Sequence, residues 1–248
     1  KKMIIWLASY PKSGNTLLRS ILSSYFYSRE GSFKFNNLYK ISQFPAAQDF
    51  LKLGINIDDE EEVYKNFIKV QNTINDIDKN VKFLKTHSSL CKMYGSNFTD
   101  LQNTLGVIYI VRDPRNVVTS LAHHDDLNID QATDALCDEK RLILKTNTNC
   151  STFLGSWSFN FNSWKALDSK KKYLLVKYED LVNKKKSTVI KIFKFLENIG
   201  MKFDFDIIKL NKAIKSTDFE KMKSLEKKET FYEAVTDLKT GKRKVFFN

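Results

Sequence analysis

Short apolar runs alternate with stretches of helical periodicity along most of the chain. The mainly apolar runs at residues 3–8, 81–84, 106–111 and 173–177 predict strands, and the run at 106–111 is continuous and rich in β-formers. Apolar residues at helical spacing predict helices at residues 17–27, 58–70, 117–122, 130–144, 153–167 and 187–199, and two short polar helices within 204–229. This alternation is typical of an α/β fold with three layers, α/β/α, around a mainly parallel central sheet.

No break in composition divides the chain. It contains only 3 Pro and 8 Gly in 248 residues, and it has no linker rich in Pro, Gly or Ser and no internal repeat. The length is sufficient for one large domain with a sizeable core. The sequence therefore predicts a single domain over residues 1–248.

The turn between the first strand and the first helix has the composition of an anion-binding loop. Its sequence at residues 10–16 is YPKSGNT. Pro11 cannot continue the strand, and Gly14 allows a ligand to approach the backbone closely. The unpaired N–H groups of a first helical turn attract anions, and Lys12 adds a positive charge. A phosphate or sulfate group is the expected occupant.

The order of residues in this loop differs from that of the common nucleotide-binding P-loop. In that motif the lysine follows the glycine-rich turn, whereas here Lys12 precedes Ser13 and Gly14, and the upstream glycines are missing. Asn15 and Thr16 follow directly as the helix begins. We predict a P-loop-like architecture in which these five residues hold an anion. A strand–turn–helix with one solvated lysine is the alternative for this stretch alone.

The second predicted strand ends in residues that suit catalysis. It leads into Lys85 and His87, and open α/β sheets place their chemistry at the carboxyl ends of strands. A histidine by itself is more often structural than catalytic. The position of His87 after a strand and beside Lys85 favours a functional role.

The third predicted strand leads into Arg112, and a helix that contains Ser120 follows. Both side chains could reach one phosphate group in the crevice at the strand ends. The alternative is that Arg112 pairs with Asp113 or with the end of a helix.

The net charge of +12, from 41 basic and 29 acidic residues, favours anionic partners. Much of the excess lies in lysine clusters at residues 170–172 and 184–186, which are more often solvated surface than binding sites. No recognisable nucleic-acid module accompanies them, so no specific nucleic-acid partner is expected. The segment 123–126 (HHDD) contains metal-ligand types, but adjacent side chains on a helix point in different directions, and no metal site is predicted.

The sequence also bears on the cellular compartment. No apolar run reaches the length of about 18 residues needed for a transmembrane segment, and the N-terminus leads into a strand rather than a signal cleavage site. The three cysteines, Cys91, Cys137 and Cys150, are odd in number and widely spaced, which predicts reduced thiols. We expect a cytoplasmic protein without a transmembrane segment.

Four stretches of the chain match one enzyme family in the family's order. The chain resembles the sulfotransferases that use 3′-phosphoadenosine 5′-phosphosulfate (PAPS), of the cytosolic type and its bacterial relatives. The matching stretches are YPKSGNT at residues 10–16, KTH at 85–87, RDP at 112–114 continuing through residue 120, and YEDL at 178–181. The resemblance spans about residues 3–200, although residues 28–80 contain no matching motif.

The resemblance implies catalytic roles for three residues. Lys12 would neutralise charge on the bridging oxygen as it leaves, and Lys85 would also face the transferring group. His87 would be the general base, which requires a neutral ring and suits an ordinary histidine pKa of about 6.5. The implied reaction is in-line sulfuryl transfer to a hydroxyl or amine of a small-molecule or glycan acceptor, with 3′,5′-bisphosphoadenosine as product and no metal.

The resemblance also implies how the nucleotide would be held. The loop from Lys12 to Thr16 would bind the 5′-phosphosulfate, Arg112 and Ser120 would hold the 3′-phosphate, and Tyr178 would lie near the adenine. The acceptor pocket is expected within residues 28–80 and 123–160, which lie outside the nucleotide motifs.

The chain departs from the family pattern in two places. Leu17 stands where a tryptophan often stacks on adenine, so adenine packing is expected to be weaker or to come from elsewhere. The family also has a late Arg-Lys-Gly stretch that clamps the 3′-phosphate, which Lys242, Arg243 and Lys244 do not match. We expect either that the sequence is cut short near Asn248 or that the clamp is incomplete.

Two other classes of function remain open on the sequence. One is an ATP-dependent kinase of small molecules, which the residue order of the loop disfavours. The other is a non-catalytic basic module that binds polyanions, which the residues at the strand ends disfavour.

Overall fold

A computed structural model describes residues 3–77, 81–229, 231, 241 and 243–246. The chain divides into two compact units, one formed by residues 1–15 and 41–203 and the other by residues 16–40 and 204–248. The expectation of a single domain over residues 1–248 stays a prediction.

The first unit is built on a parallel sheet. In its described residues the sheet has four strands in the order β2–β1–β5–β8, and all three neighbouring pairs are parallel. The strands of this sheet are β1 (Ile4–Ser9), β2 (Lys82–Thr86), β5 (Thr104–Val111) and β8 (Tyr173–Lys177). Two short antiparallel pairs supply the other strands, β3 (Lys92–Met93) with β4 (Ser96–Asn97), and β6 (Leu142–Ile143) with β7 (Thr152–Phe153). The predicted α/β fold with a central parallel sheet is confirmed.

The helices follow in chain order. They are α1 (Asn15–Tyr27), α2 (Phe35–Leu38), α3 (Ala47–Leu51), α4 (Glu60–Lys65), α5 (Phe67–Ile77), α6 (Pro114–Asp125), α7 (Ile129–Cys137), α8 (Trp157–Trp164), a 3₁₀ helix (Lys165–Lys170), α9 (Tyr178–Asn183), α10 (Lys185–Asn198), α11 (Ile207–Ser216) and α12 (Phe219–Glu226). The two short helices expected within 204–229 are therefore present.

Helices cover both faces of the sheet, as strand β5 shows. Tyr109 points to one face, where its hydroxyl donates to Asn160 of α8 over 2.8 Å. Gly106 lies on the opposite face, because side chains three positions apart on a strand point to opposite sides. A Cβ at Gly106 would lie 2.7 Å from Ile199 Cδ1 at the end of α10, so glycine there permits close helix–sheet packing.

Three of the predicted helices are interrupted or shorter in the structure. The predicted helix 58–70 is two helices, interrupted at Asn66, whose side chain donates back to the Glu62 carbonyl. The predicted helix 130–144 ends at Cys137, because Asp138 adopts an extended conformation and its carboxylate accepts from the Lys140 N–H. The predicted helix 153–167 begins only at Trp157, where the Ser156 hydroxyl caps it by accepting from the Phe159 N–H.

An aromatic cluster fixes β1 in the core of the first unit. The Trp6 side chain is fully buried, and its ring centroid lies 5.1 Å from that of Phe98 and 6.4 Å from that of Trp164. Its indole N–H donates to the Thr104 hydroxyl over 3.0 Å, which ties β1 to its neighbour β5. The strand that leads into the predicted anion-binding loop is thus held by packing and by a buried hydrogen bond.

The second unit has a small apolar core of its own. Phe35 stacks on Phe231 with ring centroids 4.8 Å apart, and Met222 of α12 is buried with them. Leu17 packs against this cluster, so at this position the side chain serves a packing role. Of the basic residues near the end of the chain, Lys242 lies outside the described residues.

The cysteines are free, as predicted. Cys150 is buried, Cys91 is partly buried and Cys137 is exposed. Burial raises the pKa of both Cys91 and Cys150 to about 11, so these thiols stay protonated at neutral pH. In the part of the chain that is described, no helix has both the length and the apolar character needed to cross a membrane.

The aromatic cluster generates a stability prediction. Trp6→Ala should lower the free energy of unfolding by about 3–5 kcal/mol, because it leaves a cavity and removes the partner of Thr104. Ile108→Val, a smaller change in the same sheet, should cost about 0.5–1.5 kcal/mol. Leu144→Ala is the control, because this side chain is 74% exposed. It should change the free energy of unfolding by less than about 0.5 kcal/mol. Urea unfolding measures all three, and equal losses for Trp6→Ala and Leu144→Ala would contradict the assignment of Trp6 to the core.

Candidate functional site

The turn after β1 has an unusual backbone conformation. Lys12 has a φ of 65° and Gly14 a φ of 95°, so two of three successive residues lie in the left-handed region. For a lysine this conformation costs on the order of 1–2 kcal/mol, and strain of this kind tends to collect at functional sites. The helix α1 then begins at Asn15. The predicted strand–turn–helix is present, with a strained turn.

Ser13 occupies the centre of this turn and is buried, with 1% of its surface exposed. Its hydroxyl has no hydrogen-bond partner among the described residues. Because native proteins rarely bury a hydroxyl without a partner, this one is suited to receive a ligand oxygen.

Ser9, the last residue of β1, is contacted by the side chains of Asn15 and His87. The amide of Asn15 donates to the Leu7 carbonyl over 2.9 Å and to the Ser9 hydroxyl over 3.1 Å. The ring of His87 approaches the same residue, with Nδ1 lying 2.7 Å from the Ser9 carbonyl oxygen and 3.3 Å from its hydroxyl. Ser9 is therefore hydrogen-bonded both to the loop and to the histidine.

The bond to the Ser9 carbonyl determines the tautomer of His87. A carbonyl oxygen only accepts hydrogen bonds, so Nδ1 must carry the proton that it shares with Ser9. In the neutral ring Nε2 is then the basic nitrogen. The structure thus gives His87 the protonation pattern that a general base acting through Nε2 requires.

Lys85 comes two residues before His87 and is held in place by its main chain. It pairs with Leu7 of β1, accepts from the Phe44 N–H over 2.8 Å and donates to the Ser42 carbonyl over 2.9 Å. Lys85 and His87 thus lie at the end of β2, next to the end of β1, as the sequence predicted.

Arg112 follows β5 and contacts the loop directly. Its Nη1 donates to the Lys12 carbonyl over 3.2 Å, and its guanidinium lies 4.6 Å from the centre of the Tyr178 ring. The expected alternative, pairing of Arg112 with Asp113, does not occur. Asp113 instead accepts a bidentate pair from Arg115, which lowers the pKa of Asp113 to about 2.

The ring of Tyr178 packs on Gly14. A Cβ at Gly14 would lie 2.8 Å from Tyr178 Cε2, so any larger residue would displace the ring. Tyr178, Gly14 and Arg112 are therefore in contact. The predicted position of Tyr178 at the site is consistent with this packing, while its contact with adenine stays a prediction.

Two predicted residues are not joined to this group by the described contacts. Ser120 lies in the second turn of α6 and is partly buried, as expected for its spacing, but no contact connects it to Arg112. Thr16 is the second residue of α1 and belongs to the second unit. Their predicted roles stay predictions.

Sequence reasoning missed a second polar network beside the loop. The Tyr10 hydroxyl donates to the Ala135 carbonyl and accepts from Arg141, each over 3.2 Å. Arg141 also contacts Asp125, which pairs with His124 over 2.6 Å. Burial raises the pKa of Tyr10, so its hydroxyl stays protonated and able to donate. The sequence separation between Tyr10 and Arg141 leaves no local signal for this contact.

The described residues contain no group of three or more His, Cys, Asp or Glu side chains arranged to hold a metal ion. In the segment 123–126, His124 and Asp125 bind each other.

Comparison with protein families decides the family of the chain. A model described as the sulfotransferase domain matches residues 3–246. The chain belongs to the sulfotransferase family.

Solved structures share the fold of this sulfotransferase chain. Mouse sulfotransferase SULT7A1 complexed with PAP aligns with a TM-score of 0.56 at 20% identity, over 90% of this chain and 67% of that one. Retinol dehydratase in a complex with retinol and PAP aligns with a TM-score of 0.55 at 17% identity, over 90% of this chain and 66% of the other. Retinol dehydratase in complex with androsterone and inactive cofactor PAP aligns with a TM-score of 0.52 at 18% identity, over 90% of this chain and 66% of the other. The chain spans about two thirds of the length of these structures.

The Ser13 hydroxyl, which is without a partner in the described part of the chain, yields a prediction in which stability and binding change in opposite directions. Ser13→Ala should raise the free energy of unfolding of the free protein by about 1 kcal/mol, because it removes a buried group without a partner. The same change should weaken binding of 3′,5′-bisphosphoadenosine about threefold to tenfold, as expected for one lost hydrogen bond. Urea unfolding and calorimetry measure the two effects.

Tyr173→Phe is the matched control for Ser13→Ala. Tyr173 also has a buried hydroxyl without a partner among the described residues, but it lies at the start of β8, away from the loop. Its removal should affect stability in the same direction and leave nucleotide binding unchanged. Unchanged nucleotide affinity in Ser13→Ala as well would show that the Ser13 hydroxyl is not a ligand.

Proposed function

We propose that the protein transfers a sulfuryl group from PAPS to a hydroxyl or amine of a small-molecule acceptor. The observation that carries the proposal is the hydrogen-bonded connection through Ser9. It joins the anion-binding loop, by way of Asn15, to a histidine whose Nε2 is the basic nitrogen. A proton acceptor and an oxyanion site are thus fixed to the same strand end.

The residues of the loop fit a phosphosulfate group. The Ser13 hydroxyl is buried and has no partner among the described residues, and it lies between two residues with positive φ, Lys12 and Gly14. Lys12 supplies a positive charge beside the start of α1. Arg112 adds a guanidinium that is already anchored to the loop and retains further N–H groups for an anion.

Each of the proposed catalytic residues has a distinct task. When bound, PAPS supplies a sulfuryl group activated by a good leaving group. His87 accepts the proton that the acceptor hydroxyl or amine releases, and it must be neutral to do so. Lys12 and Lys85 stabilise the negative charge that develops around the transferring group and on the departing oxygen. The proposed reaction with these residue roles needs no metal ion.

The structural neighbours support a small organic acceptor. Retinol dehydratase binds retinol in one solved complex and androsterone in another, and both ligands carry a hydroxyl group on an apolar skeleton. We extend this class of acceptor to the present chain as part of the proposal. A screen of alcohols, phenols and amines with labelled PAPS would identify the acceptor.

The choice between nucleotides tests the proposal against the kinase and polyanion alternatives. Thermal unfolding with 3′,5′-bisphosphoadenosine should show a higher midpoint than without it, because a ligand that binds only the folded state stabilises it. ATP with Mg²⁺ should have a smaller effect. Stabilisation by ATP and Mg²⁺ alone would favour a kinase, and tight binding of polyanions that survives Lys12→Ala would favour a basic binding module.

Lys12→Ala and His87→Ala should separate nucleotide binding from proton transfer. Lys12 is proposed to contact the nucleotide, so Lys12→Ala should weaken the binding of 3′,5′-bisphosphoadenosine and lower turnover. His87 acts on the acceptor proton, so His87→Ala should lower kcat roughly a hundredfold or more and leave nucleotide binding near that of wild type. Calorimetry and turnover assays give both quantities. Equal losses of nucleotide affinity in the two variants would contradict this division.

Arg112 should distinguish PAPS from adenosine 5′-phosphosulfate, which lacks the 3′-phosphate. A charged pair of this kind is worth about 1.5–3 kcal/mol, so wild type should prefer the nucleotide with the 3′-phosphate by at least tenfold. Because Arg112 also donates a hydrogen bond to the Lys12 carbonyl, Arg112→Ala should weaken the binding of both nucleotides to some degree. In Arg112→Ala the preference for the nucleotide with the 3′-phosphate should largely disappear.

A cycle that combines the protein change with the ligand change isolates the phosphate contact. Arg112→Lys serves as the second variant, because it keeps a charge but loses the forked geometry. If Arg112→Ala lowers the affinity for both nucleotides by the same factor, Arg112 only stabilises the loop and does not bind the 3′-phosphate.

A further inference from the structure

One face of α8 holds the segment that carries His87. Three side chains on this face, at positions i, i+3 and i+4, each bond the main chain of that segment. Asn160 Nδ2 donates to the His87 carbonyl, Trp164 Nε1 donates to the Ser88 carbonyl, and Ser163 Oγ accepts from the Leu90 N–H, all over 2.9 Å. We call these three residues the α8 clamp.

Asn160 is the member of the clamp that reaches His87. It is fully buried, and its amide nitrogen also donates to the Leu154 carbonyl over 3.2 Å. Its amide oxygen accepts from the Tyr109 hydroxyl of β5 over 2.8 Å. The two donated bonds fix the orientation of the amide, and the bond from Tyr109 links Asn160 to β5.

His87 is thereby held at two points, its main-chain carbonyl and its ring. The main-chain carbonyl is bound by Asn160, and the ring is bound through Nδ1 by the Ser9 carbonyl at the end of β1. The segment after β2 has left the sheet, so the pairing between β1 and β2, which ends at Ala8 and Thr86, no longer positions it. The α8 clamp takes over this task where the strand pairing stops.

We propose that Asn160 is a positioning residue for the proposed sulfuryl transfer. By holding the His87 main chain, it keeps the imidazole Nδ1–H on the Ser9 carbonyl and so keeps Nε2 as the basic nitrogen of the ring. The inference rests on the proposed function, in which His87 is the general base. It adds a residue whose effect on the reaction is exerted only through the histidine.

Asn160→Ala should lower kcat about tenfold to a hundredfold, the range expected when a catalytic group is misplaced by about 1 Å. The affinity for 3′,5′-bisphosphoadenosine should stay near that of wild type, because the hydrogen bonds of Asn160 go to His87, Leu154 and Tyr109 and not to the loop residues. Asn160→Asp keeps the shape of the side chain and the acceptor for Tyr109 but loses the amide donor. It should show the same loss, and it replaces the alanine variant if that variant does not fold.

The imidazole ring gives a readout that does not depend on turnover. The chain has 3 histidines, so the ring ¹⁵N signals of His87 can be assigned by comparison with His87→Ala. Wild type should show the tautomer protonated at Nδ1. In Asn160→Ala the signals should shift toward a mixture of the two tautomers, because the Ser9 bond is loosened.

Two control variants separate positioning from general packing. Ser163→Ala removes a bond from the same helix face to Leu90, and Tyr109→Phe removes the bond to the amide oxygen while both donations of Asn160 remain. Each should change kcat less than Asn160→Ala and should leave the His87 tautomer as in wild type.

The outcomes separate this inference from the proposed function. Unchanged ring signals and kcat in a folded Asn160→Ala protein would overturn the inference, as would an equal effect of Ser163→Ala. If wild type transfers no sulfuryl group to any acceptor, the proposed function fails. The ring signals of the Asn160 variants then still decide whether Asn160 positions His87.

Discussion

The site depends on where the parallel strand β1 ends. Ser9 is its last residue, and it receives hydrogen bonds from Asn15 at the start of α1 and from His87 after β2. Parallel pairing of β1 with β2 and β5 brings the carboxyl ends of the three strands to one edge. Because β1 is central and entirely buried, a shift of this strand would move the loop and the histidine together.

The loop after β1 contains groups that lower the stability of the free protein. A lysine in the left-handed region and a buried hydroxyl without a described partner are each unfavourable in the free protein. Packing elsewhere offsets these costs, above all around Trp6 of β1. Strain concentrated in one turn beside a well-packed strand is consistent with selection for binding rather than for stability.

The surroundings of the loop tie its conformation to distant parts of the chain. Arg112 holds the Lys12 carbonyl from the end of β5, and Tyr178 covers Gly14 from the start of α9. Asn160 of α8 holds the histidine from the other side. The loop and the histidine are therefore supported by two strand–helix junctions, after β5 and after β8, and by the helix α8, which lie far apart in sequence.

The sequence by itself determined the α/β class, the strand at 173–177, the turn at residues 10–16 and the positions of Lys12, His87 and Arg112 after three strands. These features are local, because apolar periodicity and turn residues act over a few positions. Only the tertiary structure decided that Arg112 binds the Lys12 carbonyl rather than Asp113, and that Asn160 holds His87. Such contacts join residues 73 to 100 positions apart, and no local pattern encodes which buried polar groups will meet when sheet and helices pack.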